Sequence, residues 1–414
     1  MKFLFLSNYF PPHTRGGYEQ WCEEVALALT DRGHEVSVIT ARPEAAEKRR
    51  FQVFRVLEPE VVGGTASTVG RFLKRKSLEN ANLDQTRRVI DQTRPDAAMI
   101  WGMWNIPRSV PALVEALLPD RTAYYFCDYW PSLPNAMEQQ LEAPATRRIT
   151  GIPKQLLARL IVPRIRKERR HTLELRKPIF VSEAIGRLLG QSGVRPGKAE
   201  VIYGGTQVEQ FTPNRLLRAK EDPLRLVYLG RLTADKGVHT ALRALRILSG
   251  CPVKVCLDIY GGGDEVYEKE LRAFVQSQGL TTTVRFCGGI SRAQVPDILS
   301  RYHALVFPSE WEEPFARTVL EAMAAGLLVI GTTTGGTPEI LRHRETGLAF
   351  RAGQAEELAG HLESVAREPQ DARKLADVGR KIVVQQFTLT RMVDHIEQAL
   401  GSMVNPSLVL TKQD

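Results

Sequence analysis

The sequence predicts an α/β protein built from two successive parallel-sheet domains facing each other across a cleft, and three observations predict it. Short apolar runs alternate with amphipathic helical stretches along most of the 414 residues. The alternation restarts after a polar, mixed-charge stretch from Glu209 to Pro223. The chain is long enough for two or three cores, and 43% hydrophobic with 25% charged residues excludes disorder and fibrous repeats.

Lys2 to Ser7 reads as a buried first strand, followed by the turn-rich PPHTRGG. A helix then places Tyr18, Trp21, Val25 and Leu29 on one face at spacings of three and four. Gly33 closes it, and His34 to Thr40 is a second strand, so this unit is a parallel crossover. Ala97 to Trp101 and Arg121 to Phe126 read as further strands flanking a helix from Ile106 to Leu118. In the second half, strands are expected at Leu224–Leu229, Val253–Tyr260, Thr283–Cys287, Ala304–Pro308 and Leu327–Gly331. Helices are expected at Val238–Leu248, Glu265–Gln278, Arg292–Arg301 and Phe315–Ala325, and a last one around Leu389 to Leu400. The expected division is residues 1–205, 206–388 and 389–414.

Five scattered cysteines without a Cys-x-x-Cys pair argue against a disulfide framework or zinc cluster and fit a reducing, cytoplasmic setting. The four apolar residues before Ser7 are too short a core for a signal peptide, and no stretch approaches a spanning helix. Net charge is +9, and it is local. Residues 144–178 hold eleven Lys and Arg against Glu168 and Glu174, leaving 45 of each sign elsewhere. Within that segment Leu156, Leu157, Leu160, Ile161 and Ile165 alternate with basic residues, a basic amphipathic pattern broken at Pro163. It fits an anionic membrane surface or a solvated helix packed on the first domain. Nucleic acid is not expected, because no reading motif accompanies the charge.

Ligands of open parallel sheets sit at the carboxyl ends of the strands, so the loops there carry the chemistry. The richest window, residues 307–340, holds Glu310, Glu312 and Glu313. Pro314 then opens a helix whose first amides, Phe315, Ala316, Arg317 and Thr318, suit a phosphate. Glu321 lies about 12 Å beyond Glu313 at helical rise, a span for two ends of a sugar nucleotide; the alternative is a solvated acidic loop. Arg231 and Lys236 follow a strand in LVYLGRLTADKG and would neutralise a diphosphate leaving group, or are simply exposed cations. Gly16 and Gly17 let a helix start approach a ligand, or make a plain turn. Asp128 reads as an acceptor contact or a loop cap, and Cys127 as a buried thiol. Trp101, Trp104, Tyr124, Tyr125 and Trp130 gather at two strand ends, for a sugar or for the core.

These segments together resemble glycosyltransferase family 4 (glycosyl transferases group 1), retaining enzymes of the GT-B fold with two Rossmann-like domains. The resemblance rests on PPHTRGGYEQW with RGHEVSVIT, VIYGGTQVEQFTP, LGRLTADKG, and EPFARTVLEAMAAG followed by GTPEI. It implies that Arg231 and Lys236 bind a donor diphosphate and that Gly17 approaches it. It also implies that Glu313 contacts the donor sugar and Glu321 the ribose, with the amides of 315–318 holding sugar and phosphates. A last helix crossing back to the first domain is implied as well.

The chain departs from the family pattern at Cys127, where many members have a His, at Gly204 for Asn and at Ala316 for Gly. No Asp-x-Asp pair and no ligand-like His pair is present, so no metal is expected. Val266 leaves the dinucleotide fingerprint after Gly261 incomplete. The expected function is metal-independent transfer of a sugar, with retention, from a nucleotide diphosphate sugar as co-substrate to a saccharide or lipid-linked acceptor. Polysaccharide or glycolipid biosynthesis at the inner face of a membrane is the expected setting, with no cofactor. A GT-B epimerase or phosphorylase, or a nucleotide-sugar-binding protein with little transferase activity, are the alternatives.

Overall fold

The computed structural model describes residues 1–14, 16–41, 49–63, 65–143, 148–167, 172–194, 199–213, 219 and 221–405. The chain forms two compact units, Met1–Ile202 with Val393–Asp414, and Tyr203–Met392.

In the first unit the order is β1 (Lys2–Ser7), α1 (Tyr18–Asp31), β2 (Glu35–Ala41), β3 (Gln52–Leu57), α2 (Thr65–Thr93), β4 (Ala97–Ile100), α3 (Ser109–Leu117), β5 (Thr122–Phe126), α4 (Ala136–Glu142), α5 (Arg148–Lys167), β6 (Lys177–Phe180), α6 (Glu183–Gln191) and β7 (Glu200–Val201). The strands form one parallel sheet in the order β3-β2-β1-β4-β5-β6-β7. Phe3, Leu4, Phe5 and Leu6 of β1 are all buried, because helices cover both faces of such a sheet and a central strand needs no alternation. α1 turns Tyr18, Trp21, Cys22, Val25 and Leu29 inward, and Gly33 then takes the left-handed conformation, φ +86°.

The second unit runs β8 (Leu224–Leu229), α7 (Val238–Leu248), β9 (Val255–Tyr260), α8 (Glu265–Ser277), β10 (Val284–Gly288), α9 (Val295–Leu299), β11 (Ala304–Phe307), α10 (Arg317–Ala324), β12 (Leu328–Thr332), β13 (Leu348–Phe350), α11 (Ala355–Arg367) and α12 (Pro369–Gln386). Its parallel sheet has the order β10-β9-β8-β11-β12-β13. α13 (Leu389–Val404) is the last element, and from Val393 onward it belongs to the first unit. There Asp394 pairs with Arg32 at 2.6 Å, and Glu397 with His34 at 2.7 Å.

The structure corrects three expectations. α10 begins at Arg317, so Pro314 precedes the helix instead of opening it, and Phe315 lies outside the first turn. Glu313 is therefore not on the helix, and the helical rise does not set its distance from Glu321. Pro163 does not break the basic segment, because α5 runs through it. Ile161, Val162 and Ile165 are packed with Phe72, Met137 and Leu141, and that packing holds the helix across a residue lacking its N–H. Residues 144–147 and 168–171 of that segment lie outside the described residues.

Candidate functional site

Each sheet changes winding direction once, between β1 and β4 in the first unit and between β8 and β11 in the second. Loops leaving two such neighbouring strands part in opposite directions and leave a crevice at the carboxyl edge. The sequence-predicted residues Gly16 and Gly17 follow β1, Arg231 and Lys236 follow β8, and Glu313 follows β11.

In the second unit the two loops at the switch point are tied together. The backbone N–H groups of Glu310 and Trp311 donate to the Asp235 carbonyl at 2.8 and 3.0 Å. Thr240 Oγ1 donates to Glu310 Oε1 at 3.1 Å. Lys236 Nζ lies 2.6 Å from Glu313 Oε1, and Ser309 Oγ donates to the same oxygen at 2.7 Å. Gly237 makes this contact possible. It sits at φ +66°, and a Cβ there would come 2.0 Å from the Pro308 carbonyl oxygen. On the other side of Glu313, Gly336 N–H donates to its carbonyl at 2.7 Å. Arg231 is exposed and has no ion-pair partner among the described residues. The pair of loops thus presents one uncommitted cation and one clasped cation, suited to an anion that competes with Glu313 for Lys236.

α10 starts beside these loops with Ala316 as its N-cap, and no side chain caps it. First-turn amides have no acceptor within their own helix, so this end attracts an anion. Glu321, 2% exposed, accepts from Arg317 Nε at 2.8 Å and pairs with Arg292 Nη1 at 2.5 Å. Sequence reasoning missed both partners and Ser309. Arg317 was readable as an i,i+4 partner of Glu321; Arg292 arrives from a distant loop and left no local signal.

In the first unit Gly17 is the N-cap of α1 in ordinary right-handed geometry, φ −82°. A Cβ on Gly16 would meet only Glu19 Oε2 at 3.5 Å and Tyr18 at 3.8 Å, so the unit's own packing does not demand glycine there. Beyond β5, Asp128 Oδ1 accepts the Trp130 N–H at 3.0 Å, the loop-cap role. Burial, opposed by that hydrogen bond and reinforced by Glu19, nonetheless raises its carboxyl to about 7. Cys127 is buried, and burial with the Asp128 charge pushes its thiol well up, away from nucleophilic thiolate at neutral pH. Of the aromatic cluster, Trp101, Tyr124 and Tyr125 are fully buried core, whereas Trp104 and Trp130 line a cavity of about 350 Å³.

Among the described residues no group of three or more His, Cys, Asp or Glu side chains is placed to hold a metal ion. Among them, too, no helix is long and apolar enough to cross a membrane.

Two parallel-sheet, Rossmann-like domains, each with a switch-point crevice, define the class of α/β protein to which the chain belongs. Residues 213–382 match the family described as glycosyl transferases group 1, and residues 15–210 match glycosyltransferase family 4. The chain belongs to the group 1/family 4 glycosyltransferases and has the GT-B fold. The glycogen synthase of Mycobacterium tuberculosis is 31% identical over 194 residues, 46% of each chain. A putative colanic acid biosynthesis glycosyltransferase, WcaL of Salmonella typhimurium, is 27% identical over 50% of this chain and 52% of its own. The matches span about half the length of these curated relatives. In fold, the chain is similar to a glycosyltransferase of Rickettsia africae, with TM-score 0.72 and 18% identity over 98% of both chains. It is also similar to Anabaena Alr3699/HepE, solved in complex with UDP and glucose, with TM-score 0.68 and 22% identity over 97% of this chain and 100% of that one.

Proposed function

We propose that the protein transfers a sugar, with retention of anomeric configuration and without a metal, from a nucleotide diphosphate sugar to a saccharide or lipid-linked acceptor. The observation that carries this reading is the Lys236–Glu313–Ser309 cluster beside the exposed Arg231 and the uncapped start of α10. The donor diphosphate takes Lys236 and Arg231, which stabilise the charge it acquires as the sugar–phosphate bond breaks. Its phosphates and sugar rest on the amides of residues 315–318. Glu313, released from Lys236, contacts the sugar, and Glu321 accepts from the ribose hydroxyls while its two arginines hold it in place. Because the turn does not need glycine at position 16 for its own packing, close approach of the donor is the role proposed for the side chains missing at Gly16 and Gly17. Asp128 is proposed as the contact for an acceptor hydroxyl. No cofactor takes part.

The setting proposed is polysaccharide or glycolipid synthesis in the cytoplasm, at the inner face of a membrane. The exposed Leu156 and Leu160 of α5 lie among the exposed Arg159, Arg164 and Lys167, which supports contact with an anionic surface.

The test is incubation with a panel of nucleotide sugars, with and without chelator, following nucleotide release and the anomeric configuration of the product by NMR. Chelator-insensitive release with a retained anomer is expected. Inverted product or a chelator-sensitive rate refutes the mechanism. Binding without turnover favours a nucleotide-sugar-binding role, the reading that Cys127 in the family's His position supports.

A further inference from the structure

The first unit's cavity beside Trp104 and Trp130 is one that the proposed donor chemistry does not use. Its volume is about 350 Å³, at the small end of the roughly 300–1,000 Å³ typical of small-molecule sites. Its walls come from the loops beyond β3, β4 and β5 and from α2, the carboxyl edge of the sheet where ligands of this architecture are received.

Three features of the walls identify the kind of ligand. First, the half-buried Trp104 and the buried Trp130 line the cavity, and the C–H face of a sugar ring packs on aromatic surface while its hydroxyls stay available. Second, the polar groups are mainly hydrogen-bond acceptors and neutral donors. The Glu60 carboxyl accepts from Asn135 Nδ2 at 2.5 Å, and burial raises it to about 7, with Glu79 adding to the rise and Arg108 opposing it. Two of the three cations in the wall, Arg108 and Arg75, already have protein partners, while the third, Lys76, is exposed. Arg108 donates to the Pro131 carbonyl at 2.6 Å, and Arg75 lies 4.3 Å over the Phe72 ring and donates to the Phe72 carbonyl. A phosphate would meet Glu58, Glu60 and Glu79 here with no uncommitted guanidinium and a single ammonium, Lys76, to balance it. Third, two polar atoms of the wall are orphans. Ser109 Oγ and Trp130 Nε1 are buried, in residues 3% exposed each, and have no hydrogen-bond partner. A buried orphan has given up its hydrogen bonds to water without replacement, so a hydroxylated guest that reaches these atoms recovers what the empty site forgoes.

The cavity is also joined to Asp128. The Trp130 residue that walls it with its indole holds Asp128 Oδ1 with its backbone N–H. Gly102 closes the gap on the other side, since a Cβ there would come 2.9 Å from Asp128 Oδ2, and the cavity-lining Met103 and Trp104 follow it directly.

We propose that this cavity binds an uncharged sugar ring, the unit of a saccharide acceptor next to the one whose hydroxyl reacts at Asp128. The placement beside the reacting unit rests on the transferase reading above; the binding of a sugar in the cavity does not. The acceptor is then a saccharide of at least two units, and a preceding glycosyl transfer must supply it. The enzyme extends chains and does not start them.

The test uses the full-length protein without donor. Saturation-transfer NMR and calorimetry are run with maltose, lactose and cellobiose as neutral probes, and with inorganic phosphate and glucose 6-phosphate as anionic ones. Binding of at least one neutral disaccharide is expected, stronger than that of either anion. Trp104→Ala and Glu60→Gln each weaken it at least tenfold. Ser109→Ala and Trp130→Phe remove the orphan atoms, so they leave thermal stability unchanged or raised while still weakening sugar binding, a combination that a purely structural role does not produce. Preferential binding of the anions, absence of any neutral-sugar signal, or binding indifferent to all four substitutions overturns the proposal. Sugar binding that responds to the substitutions in a protein that turns over no nucleotide sugar leaves the cavity standing and removes the transferase reading. With turnover, Trp104→Ala raises the KM for a saccharide acceptor and leaves kcat near normal.

Discussion

Lys236 Nζ and Glu313 Oε1 are 2.6 Å apart, each side chain only 14% exposed, so the two residues the sequence nominates separately are a single ion pair in the structure. On the proposed function, a diphosphate taking Lys236 would draw it away from a carboxylate that Ser309 also holds, which would make donor binding and release of Glu313 one event.

Replacing either partner separates binding from chemistry. Glu313→Ala is expected to lower kcat about 100-fold, the usual size for loss of a group acting on developing charge, with donor affinity nearly kept. Lys236→Ala is expected to weaken donor binding and lower turnover by a similar factor. Steady-state kinetics with donor titration measures both, and near-normal rates in both variants would mean the site is elsewhere.

Gly237→Ala tests whether the two loops must touch. Its left-handed φ and the 2.0 Å approach to the Pro308 oxygen leave no room for a methyl group. A loss of about 3 kcal/mol in stability is expected, or an equivalent displacement of the Lys236 loop that abolishes donor binding. Urea denaturation of the full chain, paired with nucleotide-sugar calorimetry, distinguishes these results from an unaffected protein.

Asp128 makes stability depend on pH. Its carboxyl is raised to about 7 in the folded chain, chiefly by burial, against about 3.9 unfolded. Between those values the native state holds the extra proton, so stability is greatest at the acid side of the window and falls as pH rises from about 4 to about 7. Asp128→Asn removes this contribution and is expected to narrow the difference between denaturation midpoints at pH 5 and pH 8. An unaltered difference would show that Asp128 is ionised throughout.

For the membrane, Leu156→Ser with Leu160→Ser, and separately Arg159→Ser with Arg164→Ser, are expected to reduce sedimentation with vesicles containing phosphatidylglycerol. Each surface cation contributes about 1 kcal/mol. Arg166 is left intact, because it pairs with Glu138 and Glu142 at 2.6 and 2.8 Å and is part of the fold. Unchanged partitioning in both variants would remove α5 from any membrane contact.

The legible parts of the fold were those whose apolar pattern is strong. β8 and α7 fall at the expected residues, and β1 stands out because a doubly covered strand is continuously apolar. α2 was not legible. It spans 29 residues, yet RFLKRKSLENANLDQTRRVIDQT offers few apolar positions at helical spacing, and Phe72, Val89 and Ile90 carry its buried contacts. β3 and β7 were missed because they are the two edge strands of their sheet, where burial is partial, and β7 is only two residues long. At the site, residue identity was visible while partnership was not. Nothing local in the sequence shows that Lys236 reaches Glu313, or that Arg292 reaches Glu321, because sheet topology makes those neighbours.

The ion pairs of Arg32 and His34 with Asp394 and Glu397 bear on how this chain can be cut and recombined. The second unit is one uninterrupted stretch of sequence, Tyr203–Met392, inserted between two pieces of the first. A stop codon near residue 392 would leave that unit intact and strip the other of its final helix. Exchange of the whole second unit between relatives by recombination thus needs two crossover points, while a single crossover yields a hybrid whose first unit is mismatched with its own tail.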